Sequence, residues 1–295
     1  MTVGAKMRWY IKIPMKLVLS RIPFSHGVWY RMGIFKHGKM QDFSYAYNVF
    51  SAHLNWAGLL GKEINTGKIV MELGPGESLF SALLIKAHGF QRAILLDVDD
   101  FSLPGLDTYK DFAQWLSRQG LHCPPISGSA TIKEMLFSLD AQFLTCGLHS
   151  LGSLPDNSVD FIFSQAVLEH VRKKEFVNTI QECWRVLKPG GICTHVVDFK
   201  DHVEASLNNL RFSDQLWEAD WMASSGFYTN RIRFGEMLQI FEKQGFEITV
   251  LDKTEWPIVP VPKKYMQPRF RSMSDSDLKV SSATIRLYKS DNRNS

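Results

Sequence analysis

Ile69-Val70-Met71-Glu72-Leu73-Gly74-Pro75-Gly76 is the stretch on which the fold turns. Its first five residues are short and mostly apolar, as in a strand buried on both faces. Gly-Pro-Gly then forces a turn, and the apolar spacing that follows predicts a helix over 78–88, closed by Gly89. A strand, a glycine turn and a helix make the first unit of an α/β sheet.

The same alternation continues outward. Residues 93–97 read as the next strand and 159–164 as a later one. A helix over 174–187 carries the stripe Phe176, Ile180, Cys183, Trp184 and Leu187, and Pro189-Gly190-Gly191 stops it. Strand 192–197, a helix over 234–244 ending at Gly245, and strands 246–251 and 283–288 complete the pattern. Strands alternating with helices predict an α/β fold with a mostly parallel sheet covered on both faces.

In such sheets ligands bind beyond the carboxyl ends of the strands. At the first end, Gly74 and Gly76 let backbone N–H groups approach a ligand, and a helix start adds partial positive charge. Glu72 repels a pyrophosphate there and attracts an ammonium group. A dinucleotide site wants G-x-G-x-x-G, but the third position is Leu79, which disfavours a nicotinamide-dependent oxidoreductase. At the second end, Asp97 stands where a ribose-binding acid is expected, and a carboxylate accepts two hydroxyl hydrogen bonds. Asp99 and Asp100 compete for that role. The third end is Ser164-Gln165-Ala166-Val167-Leu168-Glu169-His170-Val171.

With Leu187-Lys188-Pro189-Gly190-Gly191 added, these segments resemble, in order, the motifs of the class I S-adenosylmethionine-dependent methyltransferase family, of the methyltransferase type 11 kind. The resemblance covers 68–200 well and 234–288 loosely. It implies a Rossmann-like, doubly wound, mostly parallel seven-stranded sheet with helices on both faces, and S-adenosyl-L-methionine as cofactor. It implies that Gly74 and Gly76 border the methionine part, that Glu72 meets its amino group, that Asp97 takes the ribose hydroxyls, and that Gln165 lies beside the cofactor. In this resemblance His170 is structural. The family often has an acid before the Leu-Pro of strand four. Here 146–153 holds none, which leaves backbone groups or Ser150 for the adenine.

The net charge is +4, and no acidic residue precedes Asp42. The remainder is net acidic, which argues against a nucleic-acid partner. The cysteines Cys123, Cys146, Cys183 and Cys193 show neither C-x-x-C nor zinc spacing, so they read as free thiols in a cytoplasmic protein, and no metal is expected. Residues 1–65 read as an N-terminal helical extension broken by Pro14, Pro23 and Ser25-His26-Gly27; 66–290 form the methyltransferase domain. Lys6, Arg8, Lys12, Lys16 and Arg21 are interleaved with apolar residues. That pattern fits a lid packed on the core, or a weak peripheral contact with the inner face of a membrane. Neither a signal peptide nor a membrane span is expected.

Residues 198–233 form a long insertion beyond a carboxyl strand end, rich in polar and aromatic groups such as Trp217, Tyr228 and Arg231. It reads as a substrate wall, suited to a sugar, or as an ordinary cover with Trp217 and Trp221 packed inward. A hydroxyl nucleophile needs a general base, and Asp198 and His202 are the candidates after the fifth strand. His195 reads as structural. Residues 198–233 and the N-terminal extension also loosely resemble bacterial methyltransferases associated with cell-surface glycan synthesis, which implies O-methylation of a small molecule or of a sugar of a cell-surface glycan. The alternative is a catalytically silent methyltransferase-like binding module.

Overall fold

The computed structural model describes residues 9–19, 41–60 and 65–290. Pro23, the Ser25–Gly27 turn, Lys6, Arg8, Arg21 and the polar tail beyond Ser290 lie outside the described residues.

Seven strands form one sheet: β1 (Ile69–Leu73), β2 (Arg92–Leu96), β3 (Ala141–Leu144), β4 (Val159–Gln165), β5 (Leu187–Asp198), β6 (Glu247–Glu255) and β7 (Val280–Tyr288). Their order is β3-β2-β1-β4-β5-β7-β6. Strands β1 to β5 pair in parallel, while β7 runs antiparallel to both β5 and β6. The switch point, where the order reverses, falls between β1 and β4, so the glycine turn and the segment after Gln165 share one crevice.

The sheet is wound on both sides by α2 (Phe43–Trp56), α3 (Phe80–Ala87), α4 (Leu106–Arg118), α5 (Ile132–Ser138), α6 (Gly147–Gly152), α7 (Lys173–Val186) and α8 (Phe234–Lys243), while α1 (Trp9–Leu19) packs on residues 203–228 beyond it, and shorter helices complete the chain. Alternation along β1 divides the core. Met71 and Leu73 face Ile180, Trp184, Met237 and Phe241 of α7 and α8. Val70 faces the other side, with Phe50, Phe80 and Phe112 of α2, α3 and α4. Burial of one such side chain stabilises by roughly 1.5–3 kcal/mol, so both layers hold the sheet flanks firmly.

Two local expectations are corrected. Helix α1 runs through Pro14 rather than breaking there. Proline removes one hydrogen bond, but packing of Ile13 against Trp217, Met222 and Phe227 holds the helix. Helix α7 ends at Val186, and β5 already includes Pro189-Gly190-Gly191. Those residues therefore lie inside a strand rather than forming a helix stop.

Candidate functional site

Gly74 and Gly76 both have positive φ, 68° and 64°, which glycine adopts without strain. They differ in what lies beyond them. A Cβ on Gly74 would come within 2.5 Å of Val167 Cγ2. A Cβ on Gly76 would meet nothing within 4 Å. Gly74 thus permits β1 to meet the β4 end, and Gly76 opens its backbone outward. Ala166, at φ 55°, swings the chain sharply after β4 and delivers Val167 to that contact. Its N–H donates to the Val196 carbonyl at 2.8 Å, which holds the strained turn in place.

Glu72 is buried, and its Oε2 has no hydrogen-bond partner. Burial pushes its carboxyl up to about 8, against a lowering hydrogen bond from Ser81; the nearby Asp97 raises it further. A buried acid in this state suits a cationic partner, which would restore the charge and take the orphaned oxygen. Asp97 follows β2. Its Oδ2 accepts the Gly76 N–H at 3.0 Å and its Oδ1 accepts the Val98 N–H at 2.7 Å. Burial raises its pKa, opposed by those two hydrogen bonds, with Asp99 and Asp100 adding repulsion. Asp97, not Asp99 or Asp100, is therefore tied to the glycine turn. Ser150 is committed locally, its hydroxyl accepting the Cys146 N–H at 3.1 Å.

Gln165 closes β4, and its Oε1 lies 3.1 Å from Nε2 of His53, a residue of α2. A carbonyl oxygen only accepts, so Nε2 carries the proton and Nδ1 accepts the Thr194 hydroxyl at 2.8 Å. Burial holds His53 near 4 and therefore neutral, despite the raising bond from Gln165. Sequence reading missed His53, because its partners lie 112 and 141 residues away. His195 is also buried, held near 3 by burial and by His53, and bonded at Nδ1 to the Ser164 hydroxyl at 2.8 Å.

The ends of β4 and β5 gather a second group. Asp198 and His202 approach to 4.0 Å. Asp198 also lies 3.4 Å from Lys200 Nζ and accepts the Lys200 N–H at 2.8 Å. The rings of His202 and His170 are 4.7 Å apart. Glu169 is buried; its Oε1 accepts the Asp198 N–H at 3.2 Å. Arg233 pins the far side, donating to the Phe199 and Val280 carbonyls at 2.6 Å each.

Segment 198–233 closes over this end, but not with the side chains that looked most suited to a ligand. Trp217 is fully buried and its indole N–H donates to the Thr229 carbonyl at 2.7 Å. The Tyr228 hydroxyl donates to Glu218 Oε2 at 2.7 Å. Arg231 donates to Asp214 and to the Phe212 carbonyl at 2.6 Å each. These three are framework. Trp221, in contrast, is 43% exposed rather than packed inward. Asn230 fastens the segment to the β4 turn through the Leu168 and Val171 carbonyls, at 2.8 and 3.0 Å.

Residues 105–194 match the family model described as a methyltransferase domain. The matched part runs from α4 to β5 and includes the β4 end, while the glycine turn precedes it. The sheet is the Rossmann-like, doubly wound seven-stranded sheet that the sequence resemblance implied, with its last two strands antiparallel. No curated protein matches the chain. Among solved structures it is similar to YcgJ from Bacillus subtilis, at 17% identity over 84% of this chain and 100% of that one, TM-score 0.46. It is also similar to phosphoethanolamine N-methyltransferase 2 of Haemonchus contortus, in complex with phosphomonomethylethanolamine and S-adenosylhomocysteine. That identity is 13% over 96% of this chain and 61% of that one, TM-score 0.49. A third is a putative methyltransferase of Haloferax volcanii bound to its Trm112 activator, at 15% over 83% of this chain and 93% of that one, TM-score 0.44. Likenesses this distant say nothing about the substrate.

Proposed function

We propose that this protein is an S-adenosylmethionine-dependent methyltransferase acting on a hydroxyl oxygen of a small molecule or of a sugar in a cell-surface glycan. The observation that carries the reading is the pairing of two unlike carboxylates at neighbouring strand ends. Glu72 is buried with an unsatisfied oxygen, which favours an ammonium group. Asp97 is partly accessible beside a glycine whose outward side is open, which favours hydroxyls. Together they suit the amino and ribose ends of one ligand. They do not suit a pyrophosphate, which would meet the buried acid.

When bound, the cofactor supplies an activated methyl group on a sulfonium. The chain's own task is alignment and proton removal. Orientation alone is worth roughly 7–11 kcal/mol in favourable cases. Glu72 and Asp97 would hold the cofactor's amino and ribose ends, so that its methyl group could be presented to an acceptor oxygen at the ends of β4 and β5. Asp198, with His202 beside it, takes the hydroxyl proton.

A glycan carried on lipid agrees with the character of α1. Tyr10, Ile11 and Met15 are about half exposed, at 48%, 50% and 40%, along a basic segment. No helix among the described residues is long and apolar enough to cross a membrane. Helix α1 would therefore lie on a surface, not within it.

Titration calorimetry with S-adenosylmethionine and with NADH tests the cofactor, and transfer of labelled methyl to extracted glycans tests the activity. Binding of S-adenosylmethionine without transfer to any fraction favours a silent binding module. Tight binding of NADH alone overturns the reading.

A further inference from the structure

The β4 turn and the loop after β5 bring Glu169, His170 and His202 together, with one donor atom of each within 4.8 Å of the others. We propose that these three residues bind one divalent first-row transition-metal ion, and that this ion holds the hydroxyl acceptor.

The chemistry of the three donors is complementary. Glu169 is only 2% exposed. One of its oxygens takes the Asp198 N–H, and the other, Oε2, has no hydrogen-bond partner. A buried carboxylate oxygen left unsatisfied is costly unless something positive meets it. His170 Nδ1 lies 2.9 Å from the Tyr228 carbonyl, which can only accept. Nδ1 therefore carries the proton, and Nε2 holds the lone pair a metal needs. A ring nitrogen donating to a carbonyl while the other ligates is the usual way a metal-binding histidine is oriented. His202 comes from the loop after β5 and is partly exposed, at 25%, so it closes the set from the solvent side.

Two imidazoles and one carboxylate select zinc, iron, cobalt or manganese over magnesium or calcium, which prefer all-oxygen shells. Bonds of about 2.0–2.1 Å to imidazole set tetrahedral ligand atoms about 3.3–3.4 Å apart, so donors now within 4.8 Å of one another draw together around the ion. His202 is the partner placed to make that movement. Three protein ligands leave open positions. A hydroxyl bound there loses its proton more readily, and Asp198, beside His202, receives it. The metal site stands independently of the cofactor, whereas its use of a hydroxyl acceptor rests on the methyltransferase reading.

The test uses the full-length protein, stripped with chelator and titrated with Co2+, followed by its visible d–d bands and by equilibrium dialysis. One Co2+ per chain is expected, competed by Zn2+. His202→Ala and His170→Ala should each weaken binding by at least about tenfold. His122→Ala, at an exposed position, should leave it unchanged. If His170→Ala unfolds through loss of its Tyr228 bond, His202→Ala decides alone. No d–d bands, or bands of full intensity in folded His202→Ala, would overturn the site. Calorimetry with S-adenosylhomocysteine on the same samples separates the two ideas. Metal binding without cofactor binding sinks the methyltransferase reading and keeps the site; the reverse sinks only the site.

Discussion

The carboxylate of Asp97 accepts the backbone N–H of Gly76 at 3.0 Å, binding the end of β2 to the turn after β1. The residue proposed to hold ribose hydroxyls thus also shapes the loop proposed to border the methionine end. Asp97→Ala would lose both roles at once, so it cannot separate loop geometry from ligand contact.

Gly76→Ala separates them. The new methyl group enters open space, and the only penalty is the left-handed backbone, about 1–2 kcal/mol. The variant should fold, with S-adenosylmethionine affinity reduced by at least about tenfold, or 1.4 kcal/mol. Gly74→Ala should instead destabilise the fold itself, because its Cβ would clash with Val167. Calorimetry and thermal melts on both variants check this; unchanged affinity in folded Gly76→Ala would remove the glycine turn from the site.

On the proposed assignment of Glu72 to the cofactor's amino group, cofactor binding depends on pH. With its pKa pushed up to about 8, the folded protein holds a proton there at neutral pH, and an ammonium ligand must displace it. Affinity should rise with pH from 6 toward 8, by at most about tenfold per unit, until the ligand's own amino group titrates. Glu72→Gln should flatten that rise and bind more weakly at pH 8. Calorimetry across the range, showing parallel profiles for both proteins, would exclude Glu72.

The same group affects stability with a defined sign. Its folded pKa lies above its ordinary value of 4.5, so the folded state binds more protons between about 4.5 and 8. Stability therefore falls as pH rises through that window. Glu169, also pushed up to about 8 by burial, acts in the same direction. The melting temperature of Glu72→Gln should decline less between pH 5 and pH 8 than that of the parent.

Trp217→Ala should cost about 3–5 kcal/mol, as expected for emptying a fully buried aromatic site. Activity per folded molecule should remain near normal, because its indole N–H serves the Thr229 carbonyl. A raised KM with an unchanged melting temperature would return Trp217 to the substrate wall.

Helix α1 is joined to the body by Ile13 and by Lys12, which lies 3.4 Å from Glu204. Its exposed Tyr10, Ile11 and Met15 predict flotation with anionic vesicles at low salt. Binding should fade as salt screens the charges and should disappear when residues 1–22 are deleted. A protein that stays in the aqueous fraction at every salt concentration has no membrane role for α1.

The strand, turn and helix around Glu72, Gly74 and Gly76 were legible in the chain alone, because near neighbours dictate them. Apolar runs make buried strands, and positive φ calls for glycine. Asp97 was legible for the same reason, since a strand's end fixes where its next side chain stands. Tertiary packing alone decided the fate of Trp217, Tyr228 and Arg231: polar and aromatic residues look alike in sequence whether they face a ligand or satisfy one another inside. It also joined His53 to Gln165, and Glu169 and His170 to His202, from separate elements. No local spacing records such meetings. They arise because the parallel sheet brings the ends of β4 and β5 side by side, and burial there leaves each polar group to find its partner across the fold.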